Sequence, residues 1–433
     1  MGGLKLTPET IRIIDIWSGR LICFVLTAVR KIGVFFIGAR SMKEPVKKIL
    51  FIKLIEQGAT VLSYSAICNA VQMVGRRNVY FCVFKENREI LDILNIIPSE
   101  NILMVRHDNL LIFLTDILKT LFRIRMAGID ATIDMEFFAR ASAILAFLTG
   151  AKKRAGLHRF MSEAPYRGDL MTHRIQYNPY LHASKAYNIM VDSLRLDPNE
   201  LPLPKILAVD SKETTPQFNP SDEEISVVKT ILEREFGQAK GPIILLNPNA
   251  SDMLPLRKWP EENFIQLARL ILKNYPDVRL ILTGAPSEAD AVQGICNQIG
   301  SPRTVNLAGK TTLRQLLVLY TLSHILVTND SGPGHFAAMT NIHSIVMFGP
   351  ETPRLFAAIG GRHHIVYGRL ACSPCVSVYN HRFSPCRNNR CMQNISVDEV
   401  YGQIKQCLSE ACDVSSNFFQ PNQDSFLQSH NQA

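Results

Sequence analysis

Apolar and polar residues fall in blocks along this chain rather than alternating singly. The run Ile49-Leu50-Phe51-Ile52-Lys53-Leu54 has the unbroken apolar character of a strand buried on both faces, and it leads through Gly58 into a helical pattern over 59–74. The same unit recurs: 78–84, 102–105 and 131–135 read as strands, while 89–97, 110–126 and 137–148 read as helices. Farther along, 242–246, 278–283, 325–328 and 344–348 are strand-like, and 260–274, 288–299, 312–321 and 334–340 are helical. Such alternation implies parallel sheets covered by helices on both faces. The stretch 202–222 holds four prolines and little strand character, so it reads as a linker. The expected organisation is one α/β domain over 46–205, a linker over 206–222 and a second α/β domain over 223–412. A cleft separates the two domains, and no repeat of solenoid length is present.

The chain ends differ from this pattern. In 11–38 the longest mostly apolar stretch, Leu21 to Val29, is far short of the roughly 20 residues a spanning helix needs. On a helical wheel Arg12, Arg20, Arg30 and Lys31 share about a third of the circumference, opposite Leu21, Val25, Ile32 and Phe36. Residues 1–45 therefore read either as a helix lying in an anionic membrane interface or as one packed on the body of the protein. Residues 413–433, rich in Ser, Asn and Gln, read as a disordered tail.

Composition narrows the partners. A chain of 433 residues, 47% hydrophobic and 20% charged, can bury two or three cores. The net charge of +9 fits a phosphorylated substrate or a membrane surface. It does not favour nucleic acid, because no basic stripe interleaved with aromatics accompanies it. Ten cysteines without a secretory signal pattern place the chain in a reducing, cytosolic compartment.

The most informative segment runs from Ile325 to Ala338. An apolar strand enters Asp330, Ser331, Gly332, Pro333, Gly334 and His335 and then opens a small-residue helix. That puts a carboxylate and a hydroxyl at the carboxyl end of a strand, where open α/β sheets bind ligands, and aims free N–H groups at an anion such as a diphosphate. The same residues also suit an ordinary capped helix with a tight turn.

Residues 329–338 followed by Val346-Met347-Phe348-Gly349-Pro350 resemble the nucleotide-sugar signature of glycosyltransferase family 9, the lipopolysaccharide heptosyltransferases. Further landmarks fall in the same order: Asn247-Pro248-Asn249-Ala250 with Arg257-Lys258-Trp259-Pro260, then Leu282-Thr283-Gly284-Ala285 with Glu288, then Asn306-Leu307-Ala308-Gly309 with Thr312-Leu313. The resemblance spans most of 47–405. It implies a GT-B fold, two Rossmann-like doubly wound domains facing across a cleft. It also implies an inverting glycosyltransferase that needs no catalytic metal and moves a sugar, heptose from ADP-heptose, onto a lipopolysaccharide core or a related lipid-linked saccharide. The place implied for it is the cytoplasmic face of the inner membrane, as a peripheral protein.

By the same resemblance, Asp330, Ser331, Gly332, Gly334 and His335 bind the donor, Lys258 meets its phosphates and Glu288 faces its nucleoside. Each has a plainer reading: Lys258 as a stem covering an aromatic ring, His335 as a backbone-bonded histidine, Glu288 as a first-turn carboxylate. Inverting transfer needs a base for the acceptor hydroxyl. Relatives carry an aspartate after the glycine of the first strand–helix turn, where this chain has Ala59. Glu56 on the same turn is the substitute candidate, and Asp134 at the end of its strand is a second. The missing aspartate also leaves open a catalytically silent member that binds nucleotide sugars. The stretch from Arg154 to Arg174, rich in arginine and histidine, suits either an anionic acceptor or an ordinary solvated loop.

Four thiols, Cys372, Cys375, Cys386 and Cys391, cluster within 372–391, with Pro374 and Pro385 shaping the turns. The spacing suits a structural zinc site; reduced or disulfide-paired thiols and an iron–sulfur cluster are the alternatives.

Overall fold

The computed structural model describes residues 8–37, 44–207, 213–250 and 254–417. Residues 418–433 of the expected tail, 208–212 of the linker, and 1–7 and 38–43 of the N-terminal segment lie outside the described residues. The last helix runs through Asn417 and so takes in the first five residues of the expected tail.

In chain order the first half comprises α1 (Pro8–Ile37), β1 (Ile49–Ile52), α2 (Gln57–Leu62), α3 (Tyr64–Val74), β2 (Val79–Phe84), α4 (Arg88–Leu94), β3 (Ile102–Val105), α5 (Leu110–Ala127), β4 (Ala131–Asp134), α6 (Arg140–Leu148), β5 (Lys153–Leu157), β6 (His173–Ile175) and α7 (Ala183–Ser193). The second half comprises α8 (Asp222–Phe236), β7 (Ile243–Asn247), α9 (Glu261–Asn274), β8 (Arg279–Leu282), α10 (Ala289–Ile299), β9 (Thr304–Asn306), α11 (Leu313–Thr321), β10 (Ile325–Asn329), α12 (Gly332–Ala337), β11 (His343–Phe348), α13 (Pro353–Phe356), β12 (Arg362–Tyr367), α14 (Arg390–Gln393) and α15 (Val397–Asn417).

The strands form two sheets of six, ordered β3-β2-β1-β4-β5-β6 and β12-β11-β10-β7-β8-β9, and every pairing is parallel. Each sheet has the doubly wound order in which direction reverses between its first and fourth strands, opening a crevice at their carboxyl ends. Every residue of β1, β4, β7, β10 and β11 is buried, as the unbroken apolar runs foretell. The two α/β domains with their GT-B arrangement follow directly. They touch through a shared apolar cluster in which Val61 and Ile90 of the first domain join Leu317, Phe336 and Ala337 of the second. Close packing of α2 on α12 completes the contact, where a Cβ on Gly58 would stand 2.4 Å from the His335 ring.

Helix α1 is docked by its polar face. Asp15, Gly19, Cys23, Thr27 and Arg30 recur every three or four residues and turn inward. Asp15 Oδ1 accepts the backbone N–H groups of Arg140 at 2.9 Å and Ala141 at 2.8 Å, so α1 supplies the cap that the first turn of α6 lacks. The other carboxylate oxygen pairs with the fully buried Arg140 guanidinium at 3.1 Å. Gly19 leaves room for Arg140, Cys23 is fully buried, Thr27 Oγ1 accepts the Asp169 N–H, and Arg30 pairs with Asp169. The opposite face carries exposed Trp17, Leu21, Phe24, Val25 and Ile32, with Trp17 70% and Phe24 65% accessible. Helix α5 shares the same core cluster and presents a second exposed apolar stripe, Leu111, Leu114, Leu118, Phe122 and Met126. Among the described residues no helix is long and apolar enough to cross a membrane.

Removing one partner of a buried ion pair strands the other, at a cost of about 3–5 kcal/mol. Asp15→Ala should therefore lower stability by about 3 kcal/mol and expose α1 to limited proteolysis, read by denaturant unfolding and the digestion pattern. An unchanged unfolding midpoint would show that α1 is held by its other contacts.

Candidate active site in the interdomain cleft

The crevices of the two sheets face each other, and a chain of alternating charges joins them. In the first domain, the turn after β4 carries Glu136, whose Oε1 accepts the Leu54 N–H at 2.7 Å and whose Oε2 accepts from Lys53 Nζ at 2.9 Å. Lys53, fully buried just after β1, reaches Glu56 Oε2 at 3.0 Å. Glu56 then pairs with Arg382 of the second domain. Arg382 Nε donates to Glu351 Oε1 at 3.1 Å, Glu351 pairs with Arg257, and Arg257 Nε lies 3.4 Å from Asp330 Oδ2. Glu351 and Asp330 follow β11 and β10. Four carboxylates and three cations thus alternate from one switch point to the other.

Local backbone shape serves this line. Glu56 holds φ 71°, a left-handed conformation that a non-glycine residue adopts only when its surroundings impose it. His381 and Arg382 both hold φ 56°, which turns the cysteine-rich loop so that Arg382 enters the cleft. Asn329, the last residue of β10, accepts the Trp259 N–H at 2.9 Å and donates to the carbonyls of Pro248 and Asn249, both at 3.1 Å. It thereby fixes the loop that delivers Arg257.

The electrostatics follow from burial and partners. Burial alone would raise the Glu56 carboxyl, but Arg382 and Lys53 hold it well below the usual carboxylate range. Burial would likewise depress Lys53, yet Glu136 and Glu56 raise it. Asp330 moves the other way: burial raises it to about 7, Arg257 opposes, and Glu351 adds to the rise. One acid is in excess along the chain, and the proton favours the end whose Oδ2 accepts no hydrogen bond. The His335 imidazole is pushed down to about 3, first by burial and then by the charges of His363 and Arg257, so it stays neutral. A small concavity lined by Asp330, Ser331, His335, Phe348, Phe356 and His363 opens beside this end.

The sequence-derived candidates divide clearly. Glu56, Asp330, Ser331, Gly332, Gly334 and His335 come together at the cleft. Ser331 Oγ is turned back on the Asn329 carbonyl at 3.2 Å, and Gly334 lies against Val346. Asp134 is not brought to the cleft: it is fully buried, pairs with Arg167 and accepts from Ser142 Oγ at 3.0 Å, which fixes the floor of the first domain. Glu288 Oε2 accepts the Ala285 N–H at 2.7 Å, the first-turn role. Lys258 is half-buried and enters no ion pair among the described residues, while its neighbour Arg257 takes the central place. The stretch 154–174 is ordered by its own arginines: Arg154 bonds the carbonyls of Leu170 and Ala151, and Arg167 is buried against Asp134. Lys53, Glu136, Arg257, Glu351 and Arg382 went unread in the sequence, since each acquires meaning only through a partner distant in the chain.

The four loop thiols are all free. Burial raises the Cys391 thiol, and Cys375, Cys372 and Cys386 raise it further. The described residues whose ligand atoms all lie within 4.8 Å of one another are a different set, His343, His364 and Cys407.

Because native Asp330 holds its proton above the ordinary value near 3.8, its contribution to stability is complete below that value and is lost as pH rises through about 7. Thermal unfolding of the ligand-free protein should show stability falling between about pH 4 and pH 7, by at most about 1.4 kcal/mol per pH unit, and levelling off above pH 7, a fall that Asp330→Asn abolishes. Parallel pH profiles for parent and variant would place the titration elsewhere.

The sequence profile of glycosyltransferase family 9 (heptosyltransferase) matches residues 118–383. Lipooligosaccharide heptosyltransferase 2 of Campylobacter jejuni is 26% identical over 176 residues, covering 39% of this chain and 52% of the relative. The chain thus spans about half the length of the curated relatives it matches. In three dimensions the chain is similar to the ADP-heptose LPS heptosyltransferase II of E. coli, with TM-score 0.62, 19% identity, and 84% and 99% of the two chains covered. It is also similar to a family 9 glycosyl transferase of Veillonella parvula, with TM-score 0.67, 16% identity, and 86% and 100% covered. Those two likenesses show the fold, and the profile, which takes in more than half of the chain, shows the lineage: this protein belongs to glycosyltransferase family 9.

Proposed function

We propose that the chain is an inverting glycosyltransferase that transfers heptose from ADP-heptose to a lipopolysaccharide core or a related lipid-linked saccharide. The observation that carries the reading is the charge chain, which sets a carboxylate of one domain against the arginines of the other at facing switch points. The relatives' names supply the sugar and the acceptor class.

Donor diphosphate bonds to Arg382 and Arg257 in place of their carboxylate partners, since guanidinium groups bind phosphate oxygens bidentately. Withdrawal of Arg382 from Glu56 removes one of the three cations that depress its pKa, beside Lys53 and Arg257, so donor binding itself moves Glu56 toward a usable base. Glu56 then takes the acceptor hydroxyl proton as that oxygen attacks the anomeric carbon from the face opposite the leaving group. The bond to ADP breaks, and the two arginines neutralise the diphosphate as it departs. Asp330, protonated or not, is placed to bond sugar hydroxyls, and neutral His335 lines the same pocket. No step draws on a metal. Zinc drawing Cys372, Cys375, Cys386 and Cys391 together would stiffen the loop that presents Arg382, and the spacing of the four thiols in the sequence supports that structural role.

The outward apolar faces of α1 and α5 support a peripheral seat on an anionic membrane at the cytoplasmic side, beside a lipid-anchored acceptor. Exposed Arg20, Lys31, Lys119 and Arg123 flank them with the matching charge.

Heptose transfer, followed by mass spectrometry of a deacylated core acceptor with ADP-heptose, tests the activity. Glu56→Gln should lower kcat by roughly 10²- to 10⁴-fold with donor binding retained. Transfer at the parental rate would remove Glu56 from the chemistry, and silence of the parent toward ADP-heptose would contradict the donor assignment. The triple variant Trp17→Gln, Leu21→Gln, Phe24→Gln should bind anionic vesicles at least roughly tenfold more weakly, because each buried apolar side chain contributes about 1.5–3 kcal/mol. Undiminished vesicle binding would remove α1 from the membrane contact.

A further inference from the structure

At the end of the second sheet opposite the cleft, two imidazoles and a thiol converge. His343 opens β11 and His364 lies near the start of the edge strand β12, while Cys407 comes from α15, which packs over both strands. The polar atoms of the three lie within 4.8 Å of one another. His343 Nδ1 and His364 Nε2 are 3.3 Å apart, with the rings stacked at 5.5 Å and tilted by 26°. Two nitrogens held by one zinc at about 2.0–2.1 Å and the tetrahedral angle are separated by about 3.3–3.4 Å, so this spacing already suits an ion between them. A fourth donor is within reach on the same face of α15, one turn on and outside that set of three: Glu410 Oε2 is 3.9 Å from His343 Nδ1, and its other oxygen is steadied by Gln406 at 3.0 Å.

A hydrogen bond between the two histidines accounts for their approach alone. It does not account for a buried free thiol that α15 brings within 4.8 Å of both ring nitrogens. From this convergence we infer a second, previously unassigned site, in which His343 Nδ1, His364 Nε2, the Cys407 thiolate and the Glu410 carboxylate bind a divalent cation of the zinc class. Imidazole with thiolate is the donor set that prefers such an ion to magnesium or calcium. Binding displaces the Cys407 proton and requires His343 to carry its own proton on Nε2. That nitrogen now lies 3.1 Å from Arg362 Nη1, so the exposed Arg362 side chain must swing aside. The ion ties the last described helix to the open edge of the sheet. It lies at the amino ends of β11 and β12, away from Asp330 and Glu351 at the carboxyl ends, so it is independent of the transfer reaction.

Cobalt(II) reports such a site optically, through thiolate-to-metal charge transfer and the visible bands of a tetrahedral ion. The full chain, stripped of metal under reducing conditions, is titrated with cobalt(II) and then back-titrated with zinc. In the Cys372→Ser, Cys375→Ser background, which disables the cysteine-rich loop, one equivalent should still give both signatures and be displaced by zinc. His364→Asn in that background should abolish the bands and Cys407→Ser the charge-transfer band, while Arg362→Gln should tighten binding. Absence of the bands in the loop-disabled protein, or their persistence in a folded His364→Asn variant, would overturn the site. Circular dichroism of each variant separates loss of ligand from loss of fold.

Discussion

The pair between Glu56 and Arg382 is the contact on which the cleft depends. It is the one link of the charge chain that crosses from one domain to the other. On its first-domain side Lys53 and Glu136 brace the carboxylate from beneath, and on the other Glu351 and Arg257 brace the guanidinium. Every member except Arg382 sits within a few residues of a strand's carboxyl end or on the loop that follows one. Arg382 arrives on the cysteine-rich loop, through two consecutive residues with positive φ. A line of partly buried charges is a poor source of stability, because desolvation offsets most of the Coulomb gain. Its value here lies in being exchangeable: an anionic ligand offers the arginines the same bonds their carboxylates now supply.

Helix α1 shows a parallel economy. A helix with so much apolar surface would bury it if packing stability were the sole constraint. Instead the chain spends Asp15, Gly19, Thr27 and Arg30 on the docking face and leaves Trp17, Leu21 and Phe24 outside. The capping of α6 by Asp15 makes that orientation specific, since turning the helix over would leave Arg140 and the start of α6 unpaired. An apolar face kept outward at this cost is the mark of a surface with a use.

Much of the architecture was legible because central strands of parallel sheets are buried on both faces and announce themselves as unbroken apolar runs. The strands that escaped include β5, whose Lys-Arg-Ala-Gly-Leu is no apolar run, and the short or marginal ones. β9 has three residues, β6 has three, and β12 reads Arg-His-His-Ile-Val-Tyr, a polar start imposed by its place at the edge. Of the site, the segment around Asp330 was readable because its chemistry is local. Glu56 was reachable only as a neighbour of a missing aspartate. Arg257 was passed over for Lys258 because adjacency in sequence does not tell which of two cations turns inward; that is decided by Asn329 and Asn389 fixing the loop backbone, the latter bonding the carbonyls of Leu256 and Lys258 at 3.1 and 2.8 Å. Asp134 looked catalytic by position at the switch point, yet its side chain is fully buried against Arg167 rather than open to the cleft.

If donor and Glu56 compete for one guanidinium, the two partners must respond oppositely to removal. Calorimetric titration with ADP measures this directly. Glu56→Gln should tighten ADP binding, because Arg382 is released from its carboxylate, and Arg382→Met should weaken it by roughly tenfold to a hundredfold. Equal loss of affinity in both variants, or none in either, would contradict the exchange of partners at the centre of the cleft.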